Sequence, residues 1–207
     1  HGGFAYDRGS LKAKLCVEGN KMMGDLAKEL DFHFIRCGKV LVGNTEEDME
    51  TLKRTMEQGK DNGATNLELI DEKRLHELVP AVVGKFAMFS HNSGIVDPFG
   101  YTIALAENAH ANGVEYHFGC EVTAIRREDD DTYEITTTKG NFKTRWVVNC
   151  AGLGCGKISD MLGITGYRII GSKGDYIILD KRTGPLLPMP VYPCLHARSQ
   201  SCDSHRH

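Results

Sequence analysis

Within a few positions, Trp146-Val147-Val148-Asn149-Cys150-Ala151-Gly152-Leu153-Gly154-Cys155-Gly156 passes from an apolar run to small residues, and a short helical segment follows around Lys157 to Leu162. A strand that ends in residues of minimal bulk lets main chain approach a ligand closely, and the following helix aims its unpaired N–H groups at the same place. A plain strand-to-helix turn has the same composition, and spacing alone leaves both readings open. Two more specific patterns are excluded. A phosphate-binding P-loop requires Ser or Thr after Gly-Lys, whereas Ile158 follows Gly156-Lys157 and Ala151 stands where the first glycine belongs. The dinucleotide fingerprint G-x-G-x-x-G fails because Gly152, Gly154 and Gly156 are spaced G-x-G-x-G, and no acidic residue ends a second strand to hold a ribose hydroxyl.

Working upstream from this bend, Tyr133 to Thr138 and Phe142 to Val148 are β-rich runs joined by Lys139-Gly140-Asn141, a hairpin signal. Arg126 to Asp131 is a charged turn. Glu121 to Ile125 and the alternating Val114 to Phe118 read as strands, and Asp97-Pro98 opens a helix that Gly113 stops. Earlier still, Lys85 to Ser90, Leu67 to Ile70 and Gly38 to Val42 are strand-sized. Asp71 caps a short helix that Pro80 ends, and Thr45-Glu46-Glu47-Asp48 opens another carrying Met49, Leu52 and Met56 on one stripe. Ser10 to Leu30 is helical, with Leu11, Leu15, Met22, Leu26 and Leu30 at helical steps. Downstream, Ile169 and Tyr176 to Leu179 restore strand character before Pro185, Pro188, Pro190 and Pro193 punctuate a loop. Helices and strands mix throughout, so the class is α/β, with an α+β part.

Composition narrows the function classes. The 207 residues carry 25 basic and 28 acidic side chains for a net charge of −3, which excludes a dedicated nucleic-acid binder. With 41% hydrophobic and 26% charged residues, the chain can bury a core. No apolar run approaches the roughly 20 residues that span a bilayer, and no charged-then-apolar leader opens the chain. Seven cysteines, an odd number spread over the length, suit reduced thiols and a cytoplasmic location. The chain starts His-Gly-Gly-Phe and ends in a polar, His-rich run, so it reads as an excised piece.

The order helix, strand, Val122-containing strand, hairpin and Val-Val-Asn-Cys-Ala-Gly resembles the second half of the flavin domain in the D-amino-acid-oxidase-like superfamily. His1-Gly2-Gly3-Phe4-Ala5-Tyr6 with Gly9-Ser10-Leu11-Lys12-Ala13-Lys14-Leu15 is similar to a segment of FAD-dependent glycerol-3-phosphate dehydrogenases and L-2-hydroxyglutarate oxidases. Gly94-Ile95-Val96-Asp97-Pro98 and Lys173-Gly174-Asp175-Tyr176 resemble the same group, and the resemblance spans roughly residues 1 to 193.

The resemblance implies an FAD enzyme that oxidises a secondary alcohol beside a phosphate or carboxylate and passes a hydride to the flavin. It implies that the backbone of Val122 touches the adenine end, and that Cys150, Ala151 and Gly152 lie along the phosphates and ribose. It implies that His1 sits near the flavin ring to steer or accept the substrate proton, and that Tyr176 faces the substrate side. The implied flavin part is residues 1–20 and 98–165. The implied substrate domain is residues 21–97 and 166–193, its antiparallel sheet built near Lys39 to Val42, Leu67 to Ile70, Lys85 to Ser90 and Tyr176 to Leu179. The implied partner is a small anionic hydroxy substrate, with peripheral membrane contact of the parent allowed although no amphipathic anchor shows.

The departures are the absent G-x-G-x-x-G strand-loop, the absent C-terminal strands that finish the flavin pocket, and Ser172-Lys173 where the group usually offers Arg. The piece alone is therefore expected neither to hold FAD well nor to turn over, and a non-catalytic binding module is the alternative of another class. Residues 194–207 depart from the pattern altogether. Cys194, His196, Cys202, His205 and His207 are metal-capable, but their spacing fits no standard finger and a disordered tail is expected. Cys150 and Cys155 read as small packing residues, the scattered histidines His33, His76, His91, His110 and His117 as surface or satisfied groups, and Arg126-Arg127 as a solvated face.

Overall fold

The computed structural model describes residues 1–166, 168–171, 173–184 and 186–194. In chain order the first elements are α1 (Leu11–Glu29), β1 (Phe34–Ile35), β2 (Lys39–Gly43), α2 (Glu46–Asp61), β3 (Leu67–Asp71), α3 (Glu72–Leu78), β4 (Phe86–Ser90), β5 (Ile95–Val96) and α4 (Pro98–Ala111). They are followed by β6 (Val122–Arg127), β7 (Tyr133–Thr137), β8 (Gly140–Thr144), α5 (Cys155–Asp160) and β9 (Val191–Pro193). Two compact units divide the described residues: His1–Gly113 with those from Ile178 to Cys194, and those of Val114–Ile177.

Local chemistry explains most helix starts. The Ser10 hydroxyl accepts from the Ala13 N–H at 3.2 Å to open α1. Thr45 and Asp48 form a reciprocal capping box on α2: Thr45 Oγ1 accepts from the Asp48 N–H at 3.1 Å and Asp48 Oδ2 accepts from the Thr45 N–H at 3.0 Å. Asp71 accepts from the Arg74 N–H at 2.8 Å, and Asp97 from the Phe99 N–H at 3.0 Å ahead of Pro98.

The core of the first unit is a four-stranded sheet in the order β3-β4-β2-β9. β3, β4 and β2 run antiparallel in the register Leu69↔Met88↔Leu41, and β9 adds parallel to β2 with Leu41 opposite Tyr192. β2 is buried on both faces. Val40 and Val42 pack with Ile70, Leu75, Val79, Ala87 and Phe89 on one side. Leu41 packs with Phe4, Leu52, Met88 and Cys194 on the other. A separate ribbon pairs β1 with β5. The second unit holds the antiparallel sheet β6-β7-β8 with α5.

Several expectations need correction. The fourth strand of the four-stranded sheet is β9, not Tyr176 to Leu179. That run forms no strand, and Tyr176, Ile177 and Ile178 are more than 90% exposed. An apolar run with side chains on both faces needs cover on both, and the free edge of β2 is already taken by β9. Val114 to Phe118 also lacks a ladder, although the Tyr116 and Phe118 rings stack at 5.7 Å. β8 stops at Thr144, so Trp146 to Val148 joins no ladder among the described residues. The hairpin turn is Thr138-Lys139, because Thr137 pairs with Gly140. On α1 the buried residues are Ala13, Val17 and Ala27, while Leu11, Leu15 and Met22 are exposed. Small side chains face inward there because main chain, not side chain, packs against that helix. The proline loop forms β9 at Val191–Pro193, and Pro185 lies outside the described residues.

Leu52 is fully buried at the junction of α2 and the sheet. Leu52→Ala is expected to cost about 3 kcal/mol, read as a lowered denaturant midpoint at unchanged slope. Thr45→Ala, which removes the cap alone, is expected to cost about 1 kcal/mol in the same assay.

Candidate active site

The small-residue bend keeps its shape through one side chain. Asn149 Nδ2 donates to the Cys155 carbonyl at 2.9 Å and to Ser159 Oγ at 3.2 Å, while its Oδ1 accepts from the Ala151 N–H at 3.3 Å. This ties the end of the extended segment to the far side of the next helix. A single 3-10 turn, Gly152–Gly154, then leads into α5. Gly152 has φ +56°, and a Cβ built there would meet no atom within 4 Å. Cys150, Ala151 and Gly152 are all exposed. The bend therefore presents open main chain with almost no side-chain bulk, an arrangement a flat or phosphorylated ligand can lie against.

Val122 lies in the same unit. It begins β6, is half-buried, and sits at a β-bulge between Val122 and Ala124. The bulge frees main chain from the regular ladder at that point. Lys157 Nζ on α5 pairs with Glu121 Oε1 at 3.0 Å, which brings the start of β6 beside the helix that follows the bend. Val122 and Cys150 to Gly152 thus belong to one unit, in which Glu121 is tied to the helix that follows the bend. The donor set fits a nucleotide-bearing cofactor, since it offers exposed backbone and a bend whose left-handed residue is glycine.

His1 lies in the other unit, as the exposed end of a firmly held segment. Gly2, Gly3 and Phe4 are buried. Gly3 has φ +76°, and a Cβ there would stand 2.5 Å from Val17 Cγ2 and 3.1 Å from the Ala13 carbonyl oxygen, so only glycine fits against α1. From α2 and its C-cap, Gln58 Nε2 donates to the Tyr6 carbonyl at 2.7 Å, and Asn62 Nδ2 donates to the Tyr6 and Gly3 carbonyls at 2.8 and 3.2 Å. Tyr176 falls in the second unit and is 93% exposed, with no strand to hold it.

Sequence reasoning assigned no role to Asn149, Gln58 or Asn62. For Asn149 a signal exists, because Asn before a turn commonly bonds the backbone two residues on. For Gln58 and Asn62 none does, since their acceptors lie more than 50 residues away in sequence. The six described cysteines are free thiols. Burial, with Asp48 beside it, pushes the Cys194 thiol up to about 11, whereas Cys150 is exposed. Of the metal-capable tail only Cys194 is described; His196, Cys202, His205 and His207 lie outside the described residues, as does Ser172. Lys173 pairs with Asp175 at 2.8 Å.

The second unit thus carries an open small-residue bend and a bulged strand, and the first unit a separately packed mixed sheet. The family described as "FAD dependent oxidoreductase" matches residues 1–205, and the chain belongs to that family. It is 37% identical to a glycerol 3-phosphate dehydrogenase of Caloramator mitchellensis over 94% of this chain and 41% of that protein. It is 30% identical to the human mitochondrial L-2-hydroxyglutarate dehydrogenase over 96% of this chain and 45% of that protein. The chain therefore spans less than half the length of these curated relatives. In structure it is similar to an FAD-bound L-alpha-glycerophosphate oxidase from Mycoplasma pneumoniae, with TM-score 0.77, 19% identity, and coverage of 94% of this chain and 53% of that one. Among the described residues, no helix is long and apolar enough to cross a membrane.

Asn149→Ala removes three hydrogen bonds that set the bend. Amide hydrogen exchange over residues 150–160 is expected to accelerate by roughly tenfold or more, with exchange in β2 unchanged. At mildly alkaline pH a thiol-alkylating reagent is expected to label Cys150 well before Cys194, read by mass spectrometry of the peptides.

Proposed function

We propose that this chain is part of an FAD-dependent dehydrogenase that oxidises a secondary alcohol carrying an anionic group, with glycerol 3-phosphate as the foremost substrate. The observation that carries this reading is the open bend at Cys150 to Gly152, whose exposed main chain suits the nucleotide half of the cofactor. FAD supplies the hydride acceptor when bound. In this reading Val122 lies against the adenosine end, and Cys150, Ala151 and Gly152 follow the phosphates and ribose. Residues 1–20 and 98–165 then serve the flavin, and residues 21–97 and 166–193 serve the substrate.

The chain's own contribution to the chemistry centres on His1. Its imidazole stands on a segment fixed by Gly3, Gln58 and Asn62, so the ring has a defined base, which a positioned proton acceptor needs. His1 receives the hydroxyl proton as the carbinol hydrogen departs, and Tyr176 borders the substrate. L-2-hydroxyglutarate is the second substrate considered, because the human and Nematostella vectensis dehydrogenases of that name each match over more than nine-tenths of this chain.

The test is the intact protein that carries this segment. Purified without added cofactor, it is expected to show an oxidised-flavin spectrum that bleaches on anaerobic addition of glycerol 3-phosphate. A protein with no flavin, or a flavin that neither glycerol 3-phosphate nor L-2-hydroxyglutarate reduces, overturns the reading. His1→Gln is expected to slow flavin reduction by about 100-fold or more with the spectrum retained.

A further inference from the structure

Lys39 opens β2 and points to the same face as Leu41 two residues on, the face that Phe4 covers. It is the one described lysine that is not exposed. Its Nζ stands 4.7 Å from the centre of the Phe4 ring and 5.2 Å from that of Tyr192. No carboxylate lies within ion-pairing distance of it among the described residues, whereas Lys53, Lys143, Lys157 and Lys173, all exposed, each have one. Burial alone pulls the Lys39 ammonium below its ordinary pKa. Two aromatic faces hold the cation in place and offset part of its desolvation, but they leave its charge uncompensated.

The location gives this cation a use. Phe4 is buried three residues from His1, on the segment pinned by Gly3 and Asn62. β2 carries Lys39 opposite Ser90, and a Cβ built on Gly2 would lie 3.4 Å from Ser90 Oγ. Lys39 therefore belongs to the same packed corner of the first unit as the His1-Gly2-Gly3-Phe4 segment. Tyr192, 47% exposed, leaves that corner open to solvent on one side.

We propose that Lys39 is the cationic anchor for the anionic group of the substrate, the phosphate of glycerol 3-phosphate or a carboxylate of a 2-hydroxy acid, held between the Phe4 and Tyr192 rings. This rests on the dehydrogenase reading above for the identity of the ligand, and on the geometry of one unit alone for the anion site. The anion supplies the missing counter-charge to an ammonium that the rings already orient, so a charged substrate gains over a neutral one of the same carbon skeleton.

Two measurements on the intact protein test it. The first maps acylation of lysines by an amine reagent, by mass spectrometry, with and without inorganic phosphate, glycerol 3-phosphate or L-2-hydroxyglutarate, against potassium chloride at matched ionic strength. Lys39 is expected to be shielded several-fold by the anion the enzyme uses and not by chloride. The second compares Lys39→Met with Lys39→Arg. Lys39→Met keeps the apolar stem against the rings and is expected to raise KM for the anionic substrate about 10- to 100-fold. It should leave the flavin spectrum unchanged, and Lys39→Arg should recover much of the loss. A flavoprotein in which neither anion shields Lys39, or in which Lys39→Met leaves KM within twofold, overturns the anchor and leaves the dehydrogenase reading standing. A protein without flavin in which phosphate still shields Lys39 upholds the anion site and removes the dehydrogenase.

Discussion

The first unit is organised by a strand with no free side. β2 is hydrogen-bonded along one edge by β4 and along the other by β9, and its successive side chains Val40, Leu41 and Val42 are buried on alternate faces. Such a strand tolerates neither a slip in register nor a polar side chain in its middle, because either would put an unpaired group into one of two apolar layers. Its ends are where chemistry enters. Lys39 stands at the start of the strand, where the apolar layer thins to two aromatic rings. Leu41 in the centre supports Phe4, and Phe4 fixes the segment that carries His1.

That segment is held by backbone fit as much as by side chains. Gly3 takes a left-handed conformation against α1 with no room for a methyl group, and the carbonyls of Gly3 and Tyr6 accept from amides on and just after α2. The segment from Gly2 to Tyr6 that carries His1 is therefore fixed from both α1 and α2. In the second unit the corresponding device is Asn149, whose amide and carbonyl oxygen span the bend and leave its far surface as bare main chain. Both devices fix main chain through side-chain amides rather than through apolar packing alone.

Several apolar residues do not share in either core. Trp146 and Val148 just before the bend, Phe99 and Ile103 on α4, and Tyr176 to Ile178 are all more than half exposed. Such side chains usually mark surfaces that another element or partner covers. The curated relatives this chain matches are more than twice its length.

What the residues alone determined was local. Ser10, Thr45, Asp71 and Asp97 declared their helix starts through capping chemistry, and the β-rich runs at 39–42, 67–70, 85–90 and 133–138 declared strands through composition. The family was readable too, from the small-residue bend together with the His-Gly-Gly-Phe and Gly-Asp-Tyr segments. Tertiary structure decided everything that depends on which edge is free. Tyr176 to Leu179 has better strand character than Val191–Pro193, yet the latter joins β2, because the Val40 and Cys194 amides reach across that edge to Pro190 and Val42. The same holds for α1, where Leu11, Leu15 and Met22 are exposed and Ala13 and Val17 are buried because a glycine backbone packs there. Pairing partners and close approaches are set by residues distant in sequence, so no local pattern encodes them, and Lys39 could be singled out only once Phe4 and Tyr192 had been brought around it.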